Sequence, residues 1–404
     1  MRRAVDPAKR LYMAGRSTLT NEFELWAYDS SLVTWLQVQP PIEPPDRGQF
    51  SFAPGDDTGS PKLVMFGAAT NCDPSNDPFW LLDDTGWSVV SVGGVPPSPR
   101  AQSAVAYDSA RDRFVIFGGM ADPGCLYNDP MSPFADTIEL GDGTWSYPAP
   151  SPSPRPRAAH AMVFDEKAAV TVLFGGHPNG IDELGDTWLW NGTTWIDVTP
   201  ATSPAGRHFA SLAYDVARGK VVLFGGKAGT TIFGDTWEWD SSTRTWTQVL
   251  ATSAVGTRYA AGMTYDSDRE RIVLTGGFGA GSPLDVWEWD GATWTTRQPE
   301  QSAGIREAIV YDRLRHRIVT FGGRGTTLAQ NDTWALAYRS LATPERCLLA
   351  GADEDGDGLA GCEDPDCWGR CSPLCPPATS CSPRCGDATC DPLEDRLICP
   401  QDCH

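Results

Sequence analysis

The sequence predicts an all-β repeat protein of 404 residues that ends in a small, loop-dominated, disulfide-rich tail. Three observations carry this expectation. A Phe-Gly-Gly string, or a near copy of it, recurs seven times at a spacing of about 50 residues, the period of repeat architectures. Glycine and proline together reach 74 residues, about 18% of the chain, which suits short strands and tight turns better than helices. Ten of the twelve cysteines lie between Cys347 and Cys403.

Each copy reads as four short strands. The repeat is anchored at Ala14, Gly67, Gly118, Gly175, Gly225, Gly276 and Gly322, with intervals of 53, 51, 57, 50, 51 and 46 residues. In the fifth copy the strands are Phe209–Tyr214, Lys220–Phe224, Asp235–Trp239 and Thr245–Val249, each rich in β-branched or aromatic residues. The glycine pair after the second strand permits positive φ and ends that strand sharply. Asn191-Gly192 and Asp290-Gly291 supply hairpin turns between the third and fourth strands.

Tryptophan fixes the register. Trp35, Trp87, Trp145, Trp195, Trp246 and Trp294 fall on the fourth strand, and Trp26, Trp80, Trp188, Trp237, Trp287 and Trp334 on the third. Trp190, Trp239 and Trp289 follow two residues later on the third strand's same face, so one repeat accounts for fifteen of the sixteen tryptophans. Residues repeated in this way read as packing between units, with a stacking platform for sugar as the other use of such rings.

The succession of Arg, a Tyr-Asp strand end, Phe-Gly-Gly, Asp-Thr-Trp and Thr-Trp resembles bacterial kelch repeats of the galactose-oxidase central-domain type over about residues 2–340. That resemblance implies a seven-bladed β-propeller, one four-stranded blade per copy around a central channel. The domain expected is 1–342, followed by a tail over 343–404. The first and last blades are incomplete as encoded: copy seven, Arg306 to Tyr338, has no Thr-Trp fourth strand. A missing upstream strand, or an imperfect closure, is the expectation there. Met1-Arg2-Arg3 is followed by no apolar segment, so a signal peptide is absent and the reading is a truncated N-terminus.

Loops joining second to third strands share a face with the blade-to-blade connections. They include Gly119–Asp136, with Tyr127 and Phe134, and His177–Gly185, and long loops on a rigid scaffold are where binding sits. Arg47, Arg100, Arg157, Arg207, Arg258 and Arg306 also recur on this face. Two readings stand side by side. A ring of cations at the channel mouth would suit a carboxylate or an acidic sugar. A residue present in every blade serves the blade, bonding backbone carbonyls or the repeated Asp136, Asp186, Asp235, Asp285 and Asp332. Cys72 and Cys125 fall in equivalent loops of neighbouring copies and are expected to form a disulfide.

Catalysis finds little support in the residues. The resemblance invites a copper oxidase, whose cross-linked Tyr-Cys pair and two His ligands find no match here. The histidines are His160, His177, His208, His316 and His404, and no nucleophile-base pair stands out among them. Asp290-Gly291-Ala292-Thr293-Trp294 is also similar to the Asp-box hairpin of sialidases, a similarity that the tight turn alone would produce.

Within the tail, Asp353, Asp355, Asp357 and Asp364 occupy loop positions 1, 3, 5 and 12, with Gly358 at position 6 and the Leu359 carbonyl at 7. That spacing resembles the calcium loops of EF-hands, dockerins and thrombospondin type 3 repeats, and calcium is the cofactor expected. Asp364 stands where an EF-hand has Glu, and Cys362 and Cys367 favour the disulfide-braced thrombospondin type. The cysteine density implies an oxidising compartment, and so an extracellular or cell-surface location.

A net charge of -20, with 13 acids against 4 bases from Leu341 onward, argues against nucleic acid or anionic lipid as a partner. No apolar run approaches the length of a transmembrane segment. The sequence therefore reads as an exported, monomeric, non-catalytic binding protein whose long loops take a protein or glycan ligand. The alternative is a secreted carbohydrate-active or oxidase-like enzyme on the same scaffold.

Overall fold

The computed structural model describes residues 50–55, 63–67, 79–83, 86–89, 92–121, 133–178, 182–250, 253–280, 285–297, 308–312, 317–321 and 333–337, with short strands at 13–16, 23–26 and 34–38. It resolves into two units, one of Ile42–Arg297 with Gly304–Asn331, the other of Met1–Pro41, Gln298–Ala303 and Asp332–His404.

In the first unit, copies two to six each fold into a complete antiparallel four-stranded sheet in strand order. Copy five runs Ser211–Asp215, Lys220–Phe224, Thr236–Asp240 and Thr245–Leu250. Its register places Leu212 opposite Leu223 and Trp239 opposite Trp246, as the tryptophan spacing requires. Copy seven contributes the hairpin Ile309–Asp312 with Arg317–Phe321.

The first strands of copies two to seven pack side by side in a closed ring, Ile309–Asp312 lying against both Arg258–Asp266 and Ser51–Pro54. This is a propeller, and it corrects the expectation of seven blades. Within this unit five blades are complete, copy seven adds a sixth first strand through its hairpin, and the ring closes from copy seven directly onto copy two.

The strands of copy one belong to the second unit. Met13–Arg16 pairs with Phe23–Trp26. Thr34–Val38, the strand carrying Trp35, pairs antiparallel with Thr333–Ala337, the third strand of copy seven. Within that unit the third strand of copy seven thus has a fourth-strand partner from the start of the chain, where the sequence led to the expectation of a missing upstream strand or an imperfect closure. Chain-end strands of this kind pair because an exposed third-strand edge has unsatisfied backbone groups.

The core lies between neighbouring blades. One cluster joins Phe224 and Val222 of copy five to Trp287, Trp289 and Trp294 of copy six, and equivalent clusters join copies two with three, three with four and four with five. Three fourth-strand indoles also donate to the threonine that opens the previous blade's third strand. Trp195 donates to Thr137, Trp246 to Thr187 and Trp294 to Thr236, each at 2.9 Å. Apolar burial of one such ring contributes at most about 4–6 kcal/mol against about 1 kcal/mol for its hydrogen bond. Packing therefore holds the blades together, and the N–H sets the angle of the ring.

A second repeated device joins three strands within a blade. Asp108, Asp215 and Asp266 end their first strands, accept bonds from the backbone N–H groups of Arg111, Arg218 and Arg269, and pair with those side chains. The guanidiniums reach on to Glu139, Glu238 and Glu288 of the third strands. Copy four has Ala168 and Leu189 at these two positions. Both partners are replaced together, as expected when a half-buried charge left alone would be costly.

Candidate functional site

The four described arginines of the repeat are 0–3% exposed. Arg207 shows the pattern: Nη1 donates to the Gly225 carbonyl at 2.9 Å and to Asp235 Oδ1 at 2.6 Å, Nη2 to Asp235 Oδ2 at 3.0 Å, and Nε to the Ala205 carbonyl at 2.9 Å. Arg100 with Asp136, Arg157 with Asp186 and Arg258 with Asp285 repeat the two-pronged pairing. These cations are buried inside their blades and present no ring to solvent. Arg47 and Arg306 lie outside the described residues.

Phe134 is tied to the same device, with the Arg100 guanidinium 4.1 Å from its ring centre, as Arg207 is 3.7 Å from Phe233. Tyr127, Cys72 and Cys125 lie outside the described residues, as do Asp353, Asp355, Asp357, Leu359 and Asp364.

Features that depart from the repeat stand out against this background. Aligned on the arginines, the next position holds Ala101, Ala158, His208 and Tyr259, and the one after it Gln102, Ala159, Phe209 and Ala260. The position after the glycine pair holds Met120, His177, Lys227 and Phe278. Copies four to six therefore place aromatic rings at positions where copy three has Ala101, Gln102 and Met120.

These rings form one continuous band. His177 lies 5.1 Å from His208, His208 5.1 Å from Phe209, Phe209 6.2 Å from Tyr259 and Tyr259 5.6 Å from Phe278. Lys227 Nζ sits 5.3 Å from the Tyr259 ring centre. His177 is buried, and its N–H and carbonyl both bond Ala158 at 3.0 Å; the other four rings are half-buried. Burial, then the neighbouring His208, pushes the His177 imidazole below its ordinary range. His208 Nδ1 is 2.7 Å from Glu183 Oε2, and Glu183 Oε1 accepts the Gly229 N–H at 3.2 Å. Of the band only His177 was marked by its loop position in the sequence; aligning the copies on their arginines would have exposed the rest.

The band borders a cavity of about 180 Å³ where the first strands begin, lined by Phe209, Ala159, Gln102 and His160. Gln102, Ala159, Phe209 and Ala260 all carry φ between 52° and 56°, a conformation that costs an L-residue about 1–2 kcal/mol. Backbone bonds from one blade to the next hold them there: Ala159 N to Gln102 O, Phe209 N to Ala159 O and Ala260 N to Phe209 O, at 2.8–2.9 Å. A second cavity of about 340 Å³ follows the ring of first strands and is lined by Tyr107, Tyr214, Tyr265 and Tyr311. The Tyr214 and Tyr265 hydroxyls accept N–H bonds from Lys167 and Ala217 of the preceding blades, so these tyrosines also serve blade packing.

His160 replaces the Ser103, Ala210 and Ala261 of other copies and is 7% exposed. Burial, then the positive field of Arg157, lowers its pKa from 6.5 to about 3. The folded protein thus refuses a proton that the unfolded chain accepts below pH 6.5, and stability falls as pH drops from there towards about 3. Between pH 7 and 5 this single group accounts for a loss of about 2 kcal/mol. Urea unfolding at the two pH values is expected to show that loss reduced by the same amount in His160→Ser. An unchanged pH dependence in the variant would assign the acid sensitivity elsewhere.

Among the described residues, no three His, Cys, Asp or Glu side chains converge as a metal site, and no helix is long and apolar enough to cross a membrane.

Residues 57–257 match the KLHDC2/KLHL20/DRC7 Kelch-repeats domain. The chain is 31% identical over 121 residues to Dynein regulatory complex subunit 7 of Chlamydomonas reinhardtii, a match taking in 29% of this chain and 10% of that protein. It therefore spans about a tenth of the length of the curated relative it matches. The solved structure of YjhT is similar in fold, with a TM-score of 0.56 and 15% identity over 73% of this chain and 95% of that one.

Proposed function

We propose, from the premise that this chain carries a kelch-repeat propeller domain, that it is a non-catalytic binding module holding a protein partner against the His208, Phe209, Tyr259 and Phe278 band. One observation carries the reading: these rings interrupt a repeat whose recurring tryptophans and arginines are committed to blade packing. Half-buried aromatics on a rigid scaffold give contact area at little entropic cost, the usual make-up of an interface centre. The matched relative is named as a subunit of a regulatory complex, which agrees with a role in assembly.

The test is capture and photo-cross-linking from the native source with wild type, a Tyr259→Ala/Phe278→Ala variant and a Val216→Ser control. Val216 is 40% exposed in the turn after the first strand of copy five. A protein retained by wild type and control and lost from the double variant supports the band. Retention of every captured protein by the double variant rejects it.

A glycan ligand is the second reading, favoured by the same stacked rings flanked by Glu183 and Lys227. We also propose that the protein is exported and monomeric, and that its tail binds calcium through Asp353, Asp355, Asp357, Asp364 and the Leu359 carbonyl. That proposal rests on residue spacing and cysteine density. Calorimetry on the disulfide-intact chain is expected to show calcium uptake at up to about millimolar concentrations, the range of extracellular modules, and no uptake there would remove the site.

A further inference from the structure

The outer hairpin of blade four carries Asn191-Gly192-Thr193-Thr194 between Thr187–Trp190 and Trp195–Asp197. Asn191 is exposed at its tip. Its Oδ1 accepts two backbone N–H bonds, from Thr193 and Thr194, both at 2.9 Å. Gly192 adopts φ +89°, and the Arg111 side chain of the preceding blade occupies the space where a Cβ would stand, with Nε 2.6 Å from that position. A guanidinium therefore lies over the peptide that follows the asparagine.

We propose that this hairpin is a self-modifying site, in which the backbone nitrogen of Gly192 attacks the Asn191 side-chain amide and converts it to a carboxylate. Gly192 N loses its proton to solvent base and bonds to Asn191 Cγ, closing a five-membered ring. Negative charge develops on Oδ1 in the tetrahedral intermediate, and that oxygen already holds two N–H donors. The arrangement is that of an oxyanion hole. The Cγ–Nδ2 bond then breaks to leave the imide, the nitrogen departs as ammonia with a proton from solvent, and water adds at Cγ and breaks its bond to Gly192 N, giving aspartate. The net change is one water gained and one ammonia lost.

The fold also has a place for the product. In copy six the equivalent hairpin holds Asp290, whose Oδ1 accepts the N–H groups of Ala292 and Thr293 at 2.9 and 2.8 Å. Gly291 follows at φ +99°, covered in the same way by Arg218 of its preceding blade. Asn191 and Asp290 each donate their own N–H to the threonine three residues on, at 3.4 Å. Those Asp290 contacts, led by the Thr293 N–H, hold its carboxyl below the ordinary range. Conversion at Asn191 thus adds one negative charge beside Arg111 in a geometry that the repeat already builds around aspartate.

The experiment follows the mass gain of about 1 Da in the peptide containing Asn191, in mildly alkaline buffer, for the folded protein and for the same chain in urea. Asn179-Gly180, the other Asn-Gly pair of the sequence, gives the intrinsic rate in the unfolded sample. Conversion at Asn191 is expected to be at least about tenfold faster folded than unfolded, since a single oxyanion donor can change a rate by more than that. Asn191→Gln abolishes the gain, and Asn191→Asp leaves the urea midpoint unchanged. A folded rate equal to or below the unfolded one overturns the proposal, as does a lowered midpoint in Asn191→Asp.

Discussion

Replacing Arg207 with alanine is expected to lower the free energy of unfolding by about 3–5 kcal/mol, the loss typical when one partner of a buried ion pair is removed. The side chain is 1% exposed and donates to both oxygens of Asp235 and to the Gly225 and Ala205 carbonyls. Its removal leaves the Asp235 carboxylate, itself 7% exposed, with Trp237 Nε1 as a remaining donor at 2.8 Å. Arg207→Lys is expected to recover less than half of the loss, because a single ammonium cannot reproduce a planar fork that serves a carboxylate and a carbonyl together. Urea midpoints of the two variants check both statements. A loss below about 1 kcal/mol would place the pair in the energetic class of surface salt bridges and show that it does not hold the blade together.

Gly175→Ala is expected to be still more damaging. Gly175 adopts φ +72°, and an added Cβ would stand 2.5 Å from the Arg207 carbonyl oxygen, a backbone atom of the next blade that has no side-chain freedom to move away. The same carbonyl accepts the Gly176 N–H at 2.9 Å, and Gly175's own carbonyl accepts Arg157 Nη1 at 2.9 Å. One methyl group therefore opposes a blade-to-blade bond and an arginine contact at once. The expected loss exceeds about 4 kcal/mol, which belongs to the rare severe class and is a large part of the stability of an ordinary domain. Gly229→Ala is the matched control. Its φ is +54° with nothing within 4 Å of the added atom, so only the conformational cost of about 1–2 kcal/mol applies. Similar midpoints for the two alanine variants would show that the blade contact at Gly175 is not what requires glycine.

Both variants act on devices whose positions were readable from spacing. Arg157 and Arg207 precede Gly175 and Gly225 by 18 residues, and the hydrogen bonds from Arg157 to the Gly175 carbonyl and from Arg207 to the Gly225 carbonyl span that same interval. The Asp-Thr-Trp string likewise separates into three roles. Asp186 receives Arg157, Thr187 receives the indole of Trp246, and Trp188 donates to Asp186 at 2.7 Å. A short string repeated at a fixed interval is legible because each copy meets the same neighbours, and an error in reading one copy is corrected by the others.

Closure was not legible. Copy one repeats the tryptophan spacing with Trp26 and Trp35 as faithfully as its successors, so counting copies yields seven blades. The number of blades is set by how many first strands fit around the ring, which depends on the angle between adjacent sheets and on no single residue. The candidate site was hidden for a related reason. His208, Phe209, Tyr259 and Phe278 are unremarkable in their own segments, separated by as many as 70 positions, and become a band because adjacent blades bring three different positions of the repeat side by side.

By itself, then, the sequence determined the strands, their order within each copy and the side chains that join one copy to the next. Those are local or nearest-neighbour matters, governed by alternation, turn chemistry and a constant interval. The tertiary structure decided that the ring closes from copy seven onto copy two, that Thr34–Val38 pairs with Thr333–Ala337, and that the unrepeated aromatics meet. These depend on how small rotations between successive sheets accumulate around the ring, a sum over the whole domain that no single stretch of chain encodes.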